Sequence, residues 1–385
     1  MAEKFAAAGM SLFGYGALAD LAPFLKRNTI KKVLIVTDAS IRKLGLLKPV
    51  QTALMDGGAE SVVFDGVMSN PTLENVSAGV KLMKDNECDG IVAVGGGSAN
   101  DCAKAICILE ANGGELRDYV GGNKAKEKGK YLIAVNTTAG TGSEVSRAFL
   151  ISDEKEKRKL IFKDDYAMPD IAVNDVQLMM NLPASITAQT GMDALTHAIE
   201  GYISTGRFAL TDLLAKDAIK LIYDNLELVV QEPHNKIARE KMSLGQYLAG
   251  LSFGSSGLGL VHAMAHQLGA EYHLAHGLCN AILLPVVMDY DLNYCPERFA
   301  EIARILDADK CIGKNSEECA FYAVELVDKL SEKVGTKVWL DDFGVKEEDL
   351  SHLAERALED GCILTAPHIP EKEEIIKLFK KVMRS

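Results

Sequence analysis

Two pairs of ligand-type side chains repeat one spacing. Asp193 and His197 stand four residues apart in Gly191-Met192-Asp193-Ala194-Leu195-Thr196-His197, and His262 and His266 do the same in Leu260-Val261-His262-Ala263-Met264-Ala265-His266. On a helix, positions i and i+4 share a face, so each pair projects both groups to one side. Histidine is concentrated here: four of the chain's eight, His262, His266, His273 and His276, fall between positions 262 and 276. A lone helical histidine is commonly a satisfied core residue, but two such pairs with His276 just downstream point to a bound metal. Imidazole and carboxylate donors suit Fe(II), Zn, Mn or Ni and do not choose among them. The sequence H-A-M-A-H lacks the general-base glutamate of H-E-x-x-H, which argues against a zinc protease. No G-x-S-x-G motif suggests a serine hydrolase.

A second constellation lies in the first half. The apolar run Ile91–Val94 leads into Gly95-Gly96-Gly97-Ser98 and then the helix-like Ala99-Asn100-Asp101-Cys102-Ala103-Lys104-Ala105-Ile106. Glycines let the backbone approach a phosphate, and a helix N-terminus offers free N–H groups and the positive end of a dipole. Ser98 can add a hydroxyl, and Asp101 is read in the first helical turn, where the dipole favours an acid. The same residues also suit a plain strand-to-helix turn. They match neither G-x-G-x-x-G nor a P-loop, whose G-K-[ST] ending is missing. Asp38 closes another strand, where its carboxylate either accepts from an adenosine ribose or caps a turn. Thr137-Thr138-Ala139-Gly140-Thr141-Gly142-Ser143-Glu144 follows a further strand and reads either as a ligand-facing loop or as a helix cap.

The elements that carry these groups differ between the two halves. Lys32–Asp38, Ala59–Phe64, Gly90–Val94, Tyr131–Val135 and Ile171–Val173 are short, nearly continuous apolar runs, as expected of strands buried on both faces of a parallel sheet. Helical stretches such as Leu46–Gly57 and Thr72–Asn86 separate them, giving an open α/β arrangement. From about Pro183 the β-branched runs stop. Ala184–Ile203, Leu210–Leu228, Ile237–Phe253 and Gly259–Ala270 show helical periodicity, punctuated by Pro285, Pro296 and Pro367. The expected division is an α/β domain over 1–182 and an all-helical domain over 183–385.

Composition narrows the partners. The 385 residues include 42 Lys and Arg against 54 Asp and Glu, for a formal charge of −12, so a nucleic-acid partner is not expected. The eight cysteines form no C-x-x-C pair and read as reduced thiols, in keeping with a cytoplasmic protein. The start, MAEKFAAAGM, does not read as a signal peptide, and no apolar run reaches membrane-spanning length, so no membrane partner is expected. A dinucleotide site and an open metal site together suit hydride transfer, with the metal polarising an alcohol or carbonyl oxygen.

At this point the sequence resembles the iron-containing (group III) alcohol dehydrogenases over essentially its whole length. The resemblance is carried by Gly95–Lys104, Thr137–Glu144, Gly191–Glu200 and Gly257–His266. It implies an N-terminal Rossmann-like α/β domain, similar to that of dehydroquinate synthase, then an all-α domain, with the active site in the cleft between them. It further implies an NAD-dependent oxidoreductase acting on CH–OH, with Fe(II) as its metal or Zn, Mn or Ni in its place. The substrate is expected to be a short primary alcohol or diol, or the matching aldehyde. By this resemblance Asp193, His197, His262 and His276 are metal ligands, and His266 is a catalytic proton-relay group near the nicotinamide. His273 matches no ligand position. Cofactor contacts fall on Asp38, Asn70, Gly96, Gly97, Ser98, Thr138, Thr141 and Lys159, with Asp38 the NAD-preferring form. Phe149, Phe253 and Cys362 are expected to line the alcohol pocket. The chain has Ala366-Pro367-His368 where many members carry Asn-Pro-Arg, a change that bears on substrate. Members are usually dimers or larger, and Met10–Gly14 reads as an extended strand able to pair across a homo-oligomer interface. Relatives of glycerol dehydrogenase or dehydroquinate synthase type, or a metal- and nucleotide-binding protein without turnover, are the alternatives.

Overall fold

The computed structural model describes residues 3–156 and 158–384, and the chain divides into two compact units. The first comprises Ala6–Thr138 and Gly142–Asn181. Its strands are β1 (Met10–Gly14), β2 (Lys32–Val36), β3 (Glu60–Phe64), β4 (Gly90–Gly95), β5 (Gly121–Gly122), β6 (Tyr131–Asn136), β7 (Ala148–Asp153), β8 (Arg158–Lys163) and β9 (Ile171–Asp175). Six of them form a sheet in the order β1-β9-β6-β4-β2-β3, and every neighbouring pair is parallel.

The apolar runs explain the sheet. Along β2, Leu34 and Val36 pack into one core while Val33 and Ile35 pack into the other; along β4, Ile91 and Ala93 face the first and Val92 and Val94 the second. Both faces are therefore covered, which demands continuous apolar strands. Each fully buried Val, Leu or Ile contributes roughly 1.5–3 kcal/mol. The helices Leu47–Asp56 and Leu73–Asp85 fall where periodicity placed them; the second starts at a capping box made by Thr72 and Asn75. A smaller sheet, β5-β8-β7, holds an antiparallel β7–β8 pair that the sequence reading did not identify.

The second unit runs from Leu182 onward and takes in the short stretch Ala139–Thr141. Its principal helices are Ala184–Ile203, Ala209–Gln231, Lys236–Ser256, Leu260–Tyr272 and His276–Asp291. Pro296 opens a helix at its first turn, where its missing N–H costs nothing. Pro285 behaves differently from the sequence expectation. It lies inside the helix His276–Asp291 and does not end it, and it is buried, so packing outweighs the lost backbone bond. Among the described residues, no single helix is long and apolar enough to cross a membrane.

Candidate metal centre and dinucleotide site

The helix Ala184–Ile203 carries Asp193 and His197 one turn apart, Leu260–Tyr272 carries His262, and His276 begins the next helix. Ligand atoms from these four residues all lie within 4.8 Å of one another. Asp193 Oδ2 is 4.0 Å from His197 Nδ1, and Asp193 Oδ1 is 4.0 Å from His262 Nε2 and 3.5 Å from His276 Nε2. Asp193, His197 and His262 are buried, and His276 is half-buried. Burial pushes the His197 imidazole down to about 4, which keeps it neutral and able to donate a lone pair.

Glycine makes the convergence possible. A Cβ on Gly277 would stand 2.5 Å from the Gln189 carbonyl oxygen and 3.3 Å from Asp193 Cβ, so only glycine lets the His276 helix come this close to Asp193. A Cβ on Gly259 would meet Glu200 Oε1 at 2.9 Å.

Three further side chains complete the centre, and the sequence reading gave none of them a role. Glu200 Oε2 lies 2.5 Å from His262 Nδ1, and Oε1 accepts from the Val261 N–H at 2.7 Å. A hydrogen bond at Nδ1 fixes the ring and leaves Nε2 for a metal. Asp360 Oδ2 lies 2.8 Å from His266 Nδ1 in the same way. Burial works against the Asp360 carboxylate, yet His266 and the Cys362 N–H, which donates to Oδ1 at 2.9 Å, hold it below its ordinary range. Asn280 donates through Nδ2 to Asp193 Oδ1 at 2.6 Å, with His262 Nε2 at 3.1 Å and His276 Nε2 at 3.2 Å. Spacing contained a signal for two of these: Glu200 is three residues beyond His197 and Asn280 four beyond His276, each on its ligand's helical face.

His266, Asp360 and Cys362 form a second close group beside the first. Phe253 stacks on the His197 ring, with centroids 4.3 Å apart and planes at 16°. Cys362 is half-buried and follows the Asp360 turn. Phe149, in the α/β unit, is 1 % exposed and stacks on Phe162 at 4.7 Å. His273 is exposed and caps its helix in the left-handed conformation, apart from the ligand set.

The glycine loop of the α/β unit has a comparable logic. Gly95 adopts φ +154°, and a Cβ there would stand 2.7 Å from Ala99 Cβ. A Cβ on Gly96 would meet Thr138 Oγ1 at 3.0 Å. Helix Gly97–Asn112 begins with no side-chain cap, so its first N–H groups remain for an anion. Asp38 caps its own short helix through Oδ1, accepting from Ser40 N at 2.7 Å and Ile41 N at 3.0 Å, while Oδ2 lies near Gly95. The cap thus occupies Oδ1 and leaves Oδ2 outside it. The Ser98 hydroxyl donates to the Ser69 carbonyl at 2.5 Å, which ties the loop bearing Asn70 to this helix.

Asp101 lies beyond the first turn, because the helix starts at Gly97. It is buried: burial raises its pKa, Lys104 and Lys159 oppose that rise, and it accepts from Ser143 Oγ at 2.9 Å and Leu150 N at 3.0 Å. Thr141 belongs to the stretch that groups with the helical unit, whereas Asn70, Thr138 and Lys159 belong to the α/β unit.

The donor chemistry fits a divalent cation at the four-residue set, and the glycine cradle fits a dinucleotide phosphate. The matching family models are named for iron. Residues 9–176 match the model of the iron-containing alcohol dehydrogenases, and residues 187–383 match that of the C-terminal part of the Fe-containing alcohol dehydrogenase family. The chain is 42 % identical over 375 residues to alcohol dehydrogenase 4 of Saccharomyces cerevisiae (strain YJM789), covering 97 % of this chain and 96 % of that one. It is 38 % identical over 373 residues to the NAD-dependent methanol dehydrogenase of Bacillus methanolicus, covering 97 % and 98 %. A crystal structure of a 1,3-propanediol oxidoreductase superposes with a TM-score of 0.97 at 39 % identity, covering all of both chains. The chain belongs to the iron-containing alcohol dehydrogenases, oxidoreductases that act on the CH–OH group.

Proposed function

We propose that this chain interconverts a short primary alcohol or diol and the corresponding aldehyde, using NAD and a divalent metal, Fe(II) or in its place Zn, Mn or Ni. The observation that carries the reading is the convergence of Asp193, His197, His262 and His276 within 4.8 Å, backed by Glu200 on His262. A cation held by these four residues supplies Lewis acidity to an alcohol or carbonyl oxygen. His266, held by Asp360 at Nδ1, presents Nε2 as the group that passes a proton between the substrate hydroxyl and solvent. Phe253, stacked on His197, and Cys362 form apolar walls for a short carbon chain.

NAD in this reading lies over Gly96, Gly97 and Ser98, with Asn70, Thr138, Thr141 and Lys159 as further contacts and Asp38 Oδ2 accepting from the adenosine ribose. The NAD-dependent methanol dehydrogenase of Bacillus methanolicus supports this choice of cofactor. A homodimer or larger assembly is proposed from β1, which forms the edge of the six-stranded sheet. Metal-replete protein is expected to produce reduced nicotinamide from at least one of methanol, ethanol, butanol and 1,2- or 1,3-propanediol. No change in nicotinamide absorbance with any of these, or with the aldehydes in reverse, defeats the proposal.

A further inference from the structure

We propose that Asn280 is a positioning residue of the metal centre: its amide N–H holds one oxygen of Asp193, so that the carboxylate offers a cation a single oxygen and the coordination number stays low. The inference rests on the metal-dependent reading above.

The geometry is specific. Asn280 is wholly buried, one turn beyond His276 on the same helix, and its Nδ2 lies 2.6 Å from Asp193 Oδ1. The same nitrogen is 3.1 Å from His262 Nε2 and 3.2 Å from His276 Nε2. Its two N–H groups thus face three acceptors. An imidazole Nε2 has one lone pair and serves one partner, so those two contacts yield to a cation. A carboxylate oxygen has further lone pairs, and the Asp193 contact is the one that persists. At the other end, Asn280 Oδ1 is buried with no hydrogen-bond partner among the described residues. A carboxamide kept for stability alone would satisfy both ends. Asn280 satisfies only the end aimed at the ligands.

The consequence concerns coordination. A carboxylate with both oxygens free can chelate a cation, and open chelation favours higher coordination numbers. An N–H on Oδ1 takes one of its lone pairs and restrains the carboxylate from turning both oxygens onto one cation. The set is then three imidazoles and one oxygen, the kind that binds zinc-like ions tightly and keeps positions for substrate.

The test uses Co(II) as a visible probe in full-length protein stripped with a chelator. Asn280→Leu removes both polar ends at nearly constant shape, and Asn280→Ser keeps a small polar group too short to reach Asp193. Wild type is expected to show intense d–d bands typical of low coordination. Both variants are expected to bind Co(II) roughly tenfold or more weakly, with bands collapsed toward the weak absorption of six-coordinate Co(II). NAD affinity and the cooperative melt of the stripped protein are expected to stay at wild-type values. Variants with wild-type Co(II) affinity and spectrum overturn the proposal. So does loss of the cooperative melt in both variants, which would make Asn280 a purely structural residue. Wild type that binds no Co(II) would instead defeat the metal reading itself.

Discussion

Glu200 Oε2 stands 2.5 Å from Nδ1 of His262, and both side chains are all but excluded from solvent. Burial raises the Glu200 carboxyl to about 7, so it is an acid held near neutrality beside a ligand imidazole. The pair sets the His262 tautomer, aims Nε2 at Asp193 and makes the ring a better donor.

Replacing Glu200 by Gln removes the charge while keeping the size. Metal affinity, measured by competition with a chelator, is expected to fall by roughly 10–100-fold. Because the glutamine keeps the size and can still accept from the Val261 N–H, the melt of the stripped protein should shift far less. Unchanged metal affinity would remove Glu200 from this role.

The His266–Asp360 pair is expected to separate metal binding from turnover. His266→Ala should retain metal and lose roughly 100-fold or more in kcat, the usual scale for a proton-transfer group. Asp360→Asn should show a smaller kcat loss with metal content unchanged, since the ring loses its orienting charge. Loss of metal in His266→Ala would mean that this histidine is itself a ligand.

Asp38 Oδ2 is the oxygen left over from the helix cap, and it lies near Gly95. Asp38→Gly removes a carboxylate that would repel a 2′-phosphate. The ratio of kcat/KM for NADP over NAD is expected to rise by an order of magnitude or so, the worth of about 1.4 kcal/mol. An unchanged ratio would take Asp38 away from the ribose.

Lys104 is buried and donates to Ser143 Oγ at 2.8 Å and to the Ala148 carbonyl at 2.9 Å. Burial lowers its pKa from 10.5 to about 8, while Asp101 opposes the drop. Between about 8 and 10.5 the unfolded chain holds a proton that the folded chain does not. Stability from this group therefore rises with pH across that window. Lys104→Met should abolish that rise in urea unfolding and, by leaving Asp101 without its buried cation, cost about 3–5 kcal/mol near neutral pH. A variant as stable as wild type would show that the network carries no net energy.

The α/β sheet was legible because its strands are buried on both faces, so Val33, Leu34, Ile35 and Val36 are all apolar. The β7–β8 hairpin was not, because its two strands alternate buried with partly exposed positions and lack a continuous apolar run. Asp193, His197 and His262 were visible through helical spacing. Glu200 and Asn280 share those faces, but each acts on a ligand through a hydrogen bond, which spacing does not distinguish from an ordinary buried polar residue. Asp360 could not be found by spacing: it reaches His266 across 94 positions from a short turn. Pro285 does not end its helix because its burial is a tertiary effect that local sequence does not carry.

Asp193, His197, His262 and His276 are proposed to form a single divalent-metal centre. Metal analysis of anaerobically purified wild type and His262→Ala tests it most directly. Wild type is expected to hold a stoichiometric divalent cation, and His262→Ala to hold little or none while binding NAD as tightly as wild type. Equal metal content in the two proteins would contradict a centre built on His262.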